Sequence, residues 1–314
     1  MMRLLTILLL FTVPLKAGTL ERAPALRDIS PETIAAAPVP ATDLRPAAAA
    51  STKAGPLADE RYFNAYVLKA VDWLNANYKL LGYDISSILT HDIEYHTFGT
   101  VKARRPPLTM CVAAQMEVIL TAYRIYAQET GDYSVYSYLP KRSFEALGVN
   151  DLKGHIWVNH DFNSYGTADA LRNFGMGEET PFEKLKPGSF VNINRDNGTG
   201  HAVTFIGYIN STGAMQAEYN KTVVGFKYFS SQGLAAAGKG GFDYRYAVFR
   251  DFGCPEMPYK RDCGVIYSAD RKWLNTGTML APKLWKGAPA PSEAGLFKDT
   301  VLDEAFFGGR TTDD

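Results

Sequence analysis

Cysteine is scarce: three in 314 residues, too few to build a disulfide scaffold, and the chain is long enough to bury a core without such staples. An excess of either charge is also missing, because 33 Lys and Arg balance 33 Asp and Glu. A surface that binds nucleic acid needs clustered cations to release counterions from phosphates, so a nucleic-acid partner is not expected. Beyond the N-terminal stretch, no segment reaches the roughly 18 consecutive apolar residues that a membrane-spanning helix requires. No internal repeat is present. What the chain does have is 46% hydrophobic and 12% aromatic residues, a composition that supports a packed core and excludes a disordered chain.

The N-terminus carries Arg3 and then an apolar run from Leu4 to Leu15, followed by the small residues Ala17 and Gly18. A short run with a basic start and a small-residue exit reads as a signal peptide over residues 1–17 and predicts a periplasmic or secreted location. Residues 18–57 are rich in Ala and Pro, as in Ala35–Pro40 and Pro46–Ala50, and bury too little area to offset ordering entropy. They read as a linker. The folded domain is expected over residues 58–283, and residues 284–314, punctuated by Pro and Gly, as a C-terminal surface extension.

Within that domain, Tyr66, Val67, Ala70, Val71 and Leu74 have the three-and-four spacing of an amphipathic helix over Tyr62–Leu80. The same spacing predicts a helix over Met110–Gln128, stopped by Gly131, and a shorter one over Gly166–Phe174. Further on, Phe190–Asn194, His201–Ile209, Val223–Gln232 and Phe242–Arg250 have the β-branched and aromatic content of strands. Gly238–Gly241 reads as a turn, since it lacks the strand-to-helix setting of a phosphate loop. Helices followed by strands predict an α+β fold with helices packed on an antiparallel sheet.

Cys254 and Cys263 flank Pro255 and Pro258 in a loop-like segment and can close a local disulfide in an exported protein. Cys111 is then left over, either as a buried inert thiol or as one kept for its reactivity. Its setting favours the second. Pro106 and Pro107 cannot extend a helix backwards and Thr109 can cap one, which puts Cys111 in the first turn. There the backbone N–H groups and the positive dipole end favour thiolate and can hold an oxyanion.

A thiol nucleophile needs a base. His201 opens the strand His201–Tyr208 directly after Asn197-Gly198-Thr199-Gly200. Alternation puts His201, Val203 and Phe205 on one face, at the rim of an apolar surface on which a helix can pack; a strand-terminal histidine bonded to a carbonyl is the plainer reading. On the next strand, Lys227 marks a solvent face, and Ser230 and Gln232 follow Val224, Phe226 and Tyr228 on the core face. Either could hold the imidazole tautomer if the two strands form a hairpin across Asn210–Thr222.

The remaining histidines form two pairs, His91/His96 and His155/His160, with Asp92, Glu94 and Asp161 nearby. They suggest a metal-dependent hydrolase as an alternative. Metal pairs on one helix usually lie four apart, and a spacing of five sends the rings to different faces, so no metal or other cofactor is expected.

The stretch Leu185-Lys186-Pro187-Gly188-Ser189-Phe190-Val191, followed by Gly200-His201-Ala202-Val203-Thr204-Phe205-Ile206-Gly207-Tyr208, resembles the signature of NlpC-type and CHAP-type cell-wall cysteine hydrolases. In those families a Leu-x-Pro-Gly-Asp turn leads into a strand and a Gly-His strand supplies the base. The chain order of Cys111, the Pro-Gly turn, Gly-His and a polar residue on the next strand is the same. Two departures stand out: Ser189 replaces the acidic residue, and the thiol sits in Thr-Met-Cys-Val where NlpC-type enzymes have Asp-Cys-Ser-Gly. The long interval between Cys111 and His201 implies an insertion around Tyr133–Met176.

The resemblance implies a reduced papain-like α+β core and cleavage of amide bonds in peptidoglycan peptides by a thioacyl intermediate. Cys111 would be nucleophile, His201 base, and Ser230 or Gln232 its orienting group. It also implies a peptidoglycan peptide as substrate, no cofactor, and a monomer. The chain also resembles a divergent branch of these enzymes, the type VI amidase effectors, a likeness under which a protein inhibitor or immunity partner is expected. A non-catalytic exported binding module that keeps the same frame is the remaining alternative.

Overall fold

Helix formation follows the apolar spacing closely. The structure is a computed structural model that describes residues 60–138, 165–195, 199–258, 262–286 and 312–313. Helix α1 (Asn64–Tyr78) turns Val67, Ala70, Val71 and Leu74 inward. Helix α2 (Cys111–Thr130) is buried without a break from Cys111 to Tyr123, so it is a central helix enclosed on all sides. Gly131 ends it in the left-handed conformation at φ 74°, where a side chain would be strained, and its N–H bonds Ala127 O at 2.9 Å.

The start of α2 differs from expectation by one residue. Met110, at φ −101° and ψ 169°, is the last extended residue and makes no side-chain cap. Thr109 therefore stands too early to cap the helix, and its carbonyl accepts the Ser231 hydroxyl at 2.9 Å. Cys111 becomes the first helical residue.

Between the helices lie the short pair β1 (Ile93–Glu94) and β2 (Thr100–Val101), then α3 (Val135–Tyr138) and α4 (Thr167–Asn173) follow α2. The strands β3 (Gly177–Glu179), β4 (Phe190–Asn194), β5 (Thr199–Asn210), β6 (Met215–Gln216), β7 (Val223–Gly233), β8 (Gly240–Phe249), β9 (Asp262–Ile266), β10 (Leu274–Met279) and β11 (Thr312–Asp313) form one sheet. Its order is β3-β10-β4-β5-β7-β8-β9, with β6 and β11 attached to β5. The pairs are antiparallel except β8 with β9 and β5 with β11. The fold is thus α+β with a mostly antiparallel mixed sheet. All these residues belong to one unit, Gly55–Asp314.

The β5–β7 hairpin forms as expected, with β6 inside the connection. Strand β4 is introduced by the Lys186-Pro187-Gly188 turn. Gly188 sits at φ 90° with its N–H on Phe205 O at 2.8 Å, and a Cβ there would meet Asn64 O at 2.9 Å. Only glycine fits this position.

Both faces of the sheet are covered, which the alternation of β7 does not predict. Phe229 lies on the supposed solvent face, yet it is buried, stacks on Phe242 at 5.1 Å and belongs to the cluster formed with α1 and α2. Lys227 on that same face lies over the Tyr244 ring at 4.5 Å. The opposite face holds Val191, Ile193, Val203, Phe205, Phe226 and Tyr228 beneath Phe182 and Leu185. Each such large side chain contributes roughly 1.5–3 kcal/mol on burial.

One ion pair, buried on its carboxylate side, ties α4 to the turn that leads into β10. Asp169, 1% exposed, accepts two bonds from Arg271, Nε to Oδ1 at 3.0 Å and Nη2 to Oδ2 at 2.7 Å. It also accepts the Tyr165 N–H at 2.8 Å, while its own N–H bonds Asn275 Oδ1 at 3.1 Å.

The signal peptide, the linker, His155, His160, Asp161 and most of the expected insertion and C-terminal extension lie outside the described residues. Among the described residues no helix is long and apolar enough to cross a membrane. Replacing Asp169 with Ala removes charge-assisted bonds to a partly exposed guanidinium and should lower stability by about 2 kcal/mol. Urea unfolding monitored by circular dichroism measures this, and a loss below about 1 kcal/mol would show that the pair contributes no more than a surface bridge.

Candidate functional site

Ala202, not His201, is the residue of β5 that faces α2. Ala202 belongs to the cluster that contains Cys111, and the Thr204 hydroxyl donates to Gln115 Oε1 on α2 at 2.7 Å. Val203 and Phe205 lie in the cluster on the other face with Tyr228. The alternation of His201, Val203 and Phe205 is therefore right, but the helix packs on the opposite side from the one expected. Both faces are apolar, so pattern alone does not choose between them.

The two sides meet where the hairpin opens. The ladder between β5 and β7 ends at the pair Thr204 and Phe229, whereas β4 stays paired with β5 as far as Gly200. The peptide groups of Ala202 are left facing a gap, and side chains fill it. The Ala202 N–H donates to Cys111 Sγ at 3.4 Å. Its carbonyl accepts Ser230 Oγ at 2.7 Å and Gln115 Nε2 at 3.2 Å. Gln115 Nε2 also reaches Ser230 Oγ at 3.4 Å. Backbone pairing resumes just beyond: Thr312 and Asp313 of β11 run parallel to Thr199 and Gly200.

His201 is 2% exposed and its ring meets that of Tyr228 edge-on, with centroids 5.5 Å apart. The Tyr228 hydroxyl donates to Gln232 Oε1 at 2.8 Å. Gln232 is 1% exposed, and among the described residues its Nε2 has no hydrogen-bond partner. Of the two residues expected to orient the histidine, Ser230 thus directs its hydroxyl to Ala202. Gln232 joins His201 through Tyr228. All four expected residues gather around positions 201 and 202 of one strand.

Cys111 is fully buried. Helical bonding begins with Ala114 N–H to Met110 O at 2.8 Å, so the N–H groups of the first turn face outward at the positive end of a 20-residue helix. That field lowers the cost of a thiolate, while complete burial raises it. Cys254 and Cys263 are joined in a disulfide, so Cys111 is the one cysteine outside it.

The histidines of the metal reading are engaged differently. His91 Nδ1 lies 3.2 Å from Glu117 Oε1 and its ring stacks on Tyr78 at 4.2 Å. Glu117, buried within α2, also accepts the Thr90 N–H at 2.9 Å and the Thr90 hydroxyl. Burial first, and then the Glu117 charge, holds the Tyr78 hydroxyl above its ordinary pKa. His96 stacks on Tyr133 at 4.4 Å. Asp92 is bonded to Lys102 and to the Ala103 N–H, and its carboxyl is held low first by the lysine. Among the described residues no three His, Cys, Asp or Glu side chains could hold a metal together.

Sequence reasoning missed Gln115 and Tyr228. A signal for the first was present, since Gln115 and Glu117 interrupt the otherwise apolar run Cys111–Leu120. Compared with known protein families, curated proteins and solved structures, the chain matches none.

The burial of Cys111 has a direct test. A polyethylene-glycol maleimide, too bulky to enter a closed interior, should leave the native protein unmodified, add one group in urea, and add three in urea after reduction. A gel shift of the native protein would show the thiol to be accessible.

Proposed function

We propose that this protein is an exported cysteine hydrolase with a papain-like core that cuts amide bonds in peptidoglycan peptides. One observation carries the reading: the first residue of the central helix places its thiol 3.4 Å from the backbone N–H of the residue that follows His201. A thiol at a helix N-terminus thus touches the peptide next to the candidate base, which supports the reading. The Pro-Gly turn leads into β4, which pairs with the Gly-His opening of β5, and this supports the reading because the signature that the chain resembles has the same two parts.

In this reading Cys111 loses its proton to His201 and the thiolate attacks the peptide carbonyl. The N–H groups of the first turn of α2 hold the oxyanion. Collapse of the tetrahedral adduct breaks the C–N bond, with His201 giving its proton to the leaving amine and an acyl thioester remaining on Cys111. His201 then takes a proton from water, which attacks the thioester and releases the acid. Between the two orienting candidates, Gln232 is favoured, because it is linked to the His201 ring through Tyr228 while the Ser230 hydroxyl is committed to Ala202. Complete burial of the thiol means that turnover includes an opening step before substrate reaches it.

Cys111→Ala should abolish release of new amines from purified muropeptides, read by mass spectrometry, while circular dichroism stays unchanged. Wild-type activity should survive EDTA and disappear after iodoacetamide treatment under turnover conditions. Full activity in Cys111→Ala removes the proposal, and EDTA-sensitive activity in that variant would return the assignment to a metal site.

A further inference from the structure

We infer that Gln115 is a positioning residue for this reaction, fixing where the Cys111 thiol stands against the strand that carries His201; the inference rests on the hydrolase reading above. Gln115 follows Cys111 by one helical turn and so lies on the same face of α2. It is fully buried, in the gap where β5 and β7 part. Its amide is engaged at both ends: Nε2 donates to Ala202 O at 3.2 Å and reaches Ser230 Oγ at 3.4 Å, and Oε1 accepts the Thr204 hydroxyl at 2.7 Å. The orientation of the amide is determined by chemistry. The Ala202 carbonyl can only accept, so the nitrogen must face it.

These bonds replace the missing ladder. Past Thr204 and Phe229 the β7 ladder no longer reaches Ala202, which stays paired with Asn192 of β4; that pairing does not fix α2, and van der Waals contact alone tolerates sliding of a helix along a strand. Gln115 binds the two even-numbered residues of β5 that face the helix, Ala202 and Thr204, together with Ser230 of β7. Cys111 Sγ accepts the N–H of the same residue, Ala202, on the other side of its Cα. The helix is thereby registered to the peptide unit directly following His201, and a displacement of about 1 Å in such a geometry can cost on the order of a hundredfold in rate. Burying a primary amide between a helix and a sheet is costly unless every polar group is met, and here the donors and acceptors are matched.

Two variants of the full chain test this, with Cys111→Ala as reference. Gln115→Leu keeps the bulk but none of the bonds, and should lower kcat by about a hundredfold with little change in KM. Gln115→Glu keeps the shape. Its protonated acid can donate to Ala202 O, whereas its carboxylate repels that carbonyl. Activity, and the rate at which iodoacetamide alkylates Cys111, should therefore approach wild type at low pH and fall as pH rises through the introduced carboxyl's pKa. The wild-type profile lacks this limb.

A merely structural glutamine would lower the melting temperature without adding the limb. A wild-type-shaped pH profile in Gln115→Glu, for both turnover and alkylation, overturns the inference, and it does so even if Gln115→Leu fails to fold. When Cys111→Ala is inactive, that outcome removes the positioning role alone; an active Cys111→Ala removes the hydrolase reading with it.

Discussion

The peptide group of Ala202 is the point on which the site is assembled. Its N–H is held by a thiol from α2, and its carbonyl by a hydroxyl from β7 and an amide from α2. A strand end ordinarily satisfies such groups with a neighbouring strand or with water. Here β7 has already turned away, and the region is too deeply buried for solvent. Side chains must therefore do the work of a ladder, and they bring a cysteine and a helix N-terminus against the backbone that follows His201. Without the parting of the two strands, Cys111 would have no approach to this backbone.

The parting is possible because the rest of the sheet is clamped. Strands β7 and β8 remain paired from Gly225 to Gly233, and β4 holds β5 on its other edge from Phe190 to Asn194. Apolar layers on both faces, with Phe229 and Phe242 on one and Phe205 and Phe226 on the other, prevent the gap from spreading into the core. The Asp169–Arg271 pair and the Asn192 side chain, which accepts the Thr167 N–H at 2.9 Å, hold α4 against the same sheet. A locally unpaired strand end is thus carried by a frame whose stability lies elsewhere, a common arrangement where backbone irregularity serves a site.

Much of the frame was legible in the sequence because it rests on local rules. Helical spacing located α1 and α2, Gly131 stopped α2 where the left-handed conformation required a glycine, and the turn residues of Asn210–Thr222 allowed the β5–β7 hairpin. Strands β9 and β10 escaped notice. The second, Leu274–Met279, is mostly polar and small, and it is a central strand only because β3 and β4 flank it. Its burial is a property of its neighbours, which no local pattern records. The same holds for the side of β5 that receives α2. When both faces of a strand are apolar, alternation separates two sets of residues but does not say which set meets the helix. Thr109 failed as a cap because Met110, still extended, occupies the position before the first helical residue.

Polar residues inside α2 express the same tension between local preference and tertiary demand. An enclosed helix would be most stable with apolar side chains on every face, yet Gln115 and Glu117 are both buried near its start. Glu117 bonds Thr90 and lies beside His91, tying the preceding loop to the helix, while Gln115 bonds β5 and β7. Neither adds much net stability, since a satisfied buried hydrogen bond is worth only about 1 kcal/mol. What they add is direction. Apolar packing lets a helix rotate or slide by small amounts at low cost, but a buried amide whose bonds are met in only one arrangement raises the energy of every other. Gln115 supplies that restriction toward β5 and β7, on the side where the Cys111 thiol meets the Ala202 N–H, and Glu117 supplies it toward the preceding loop through Thr90.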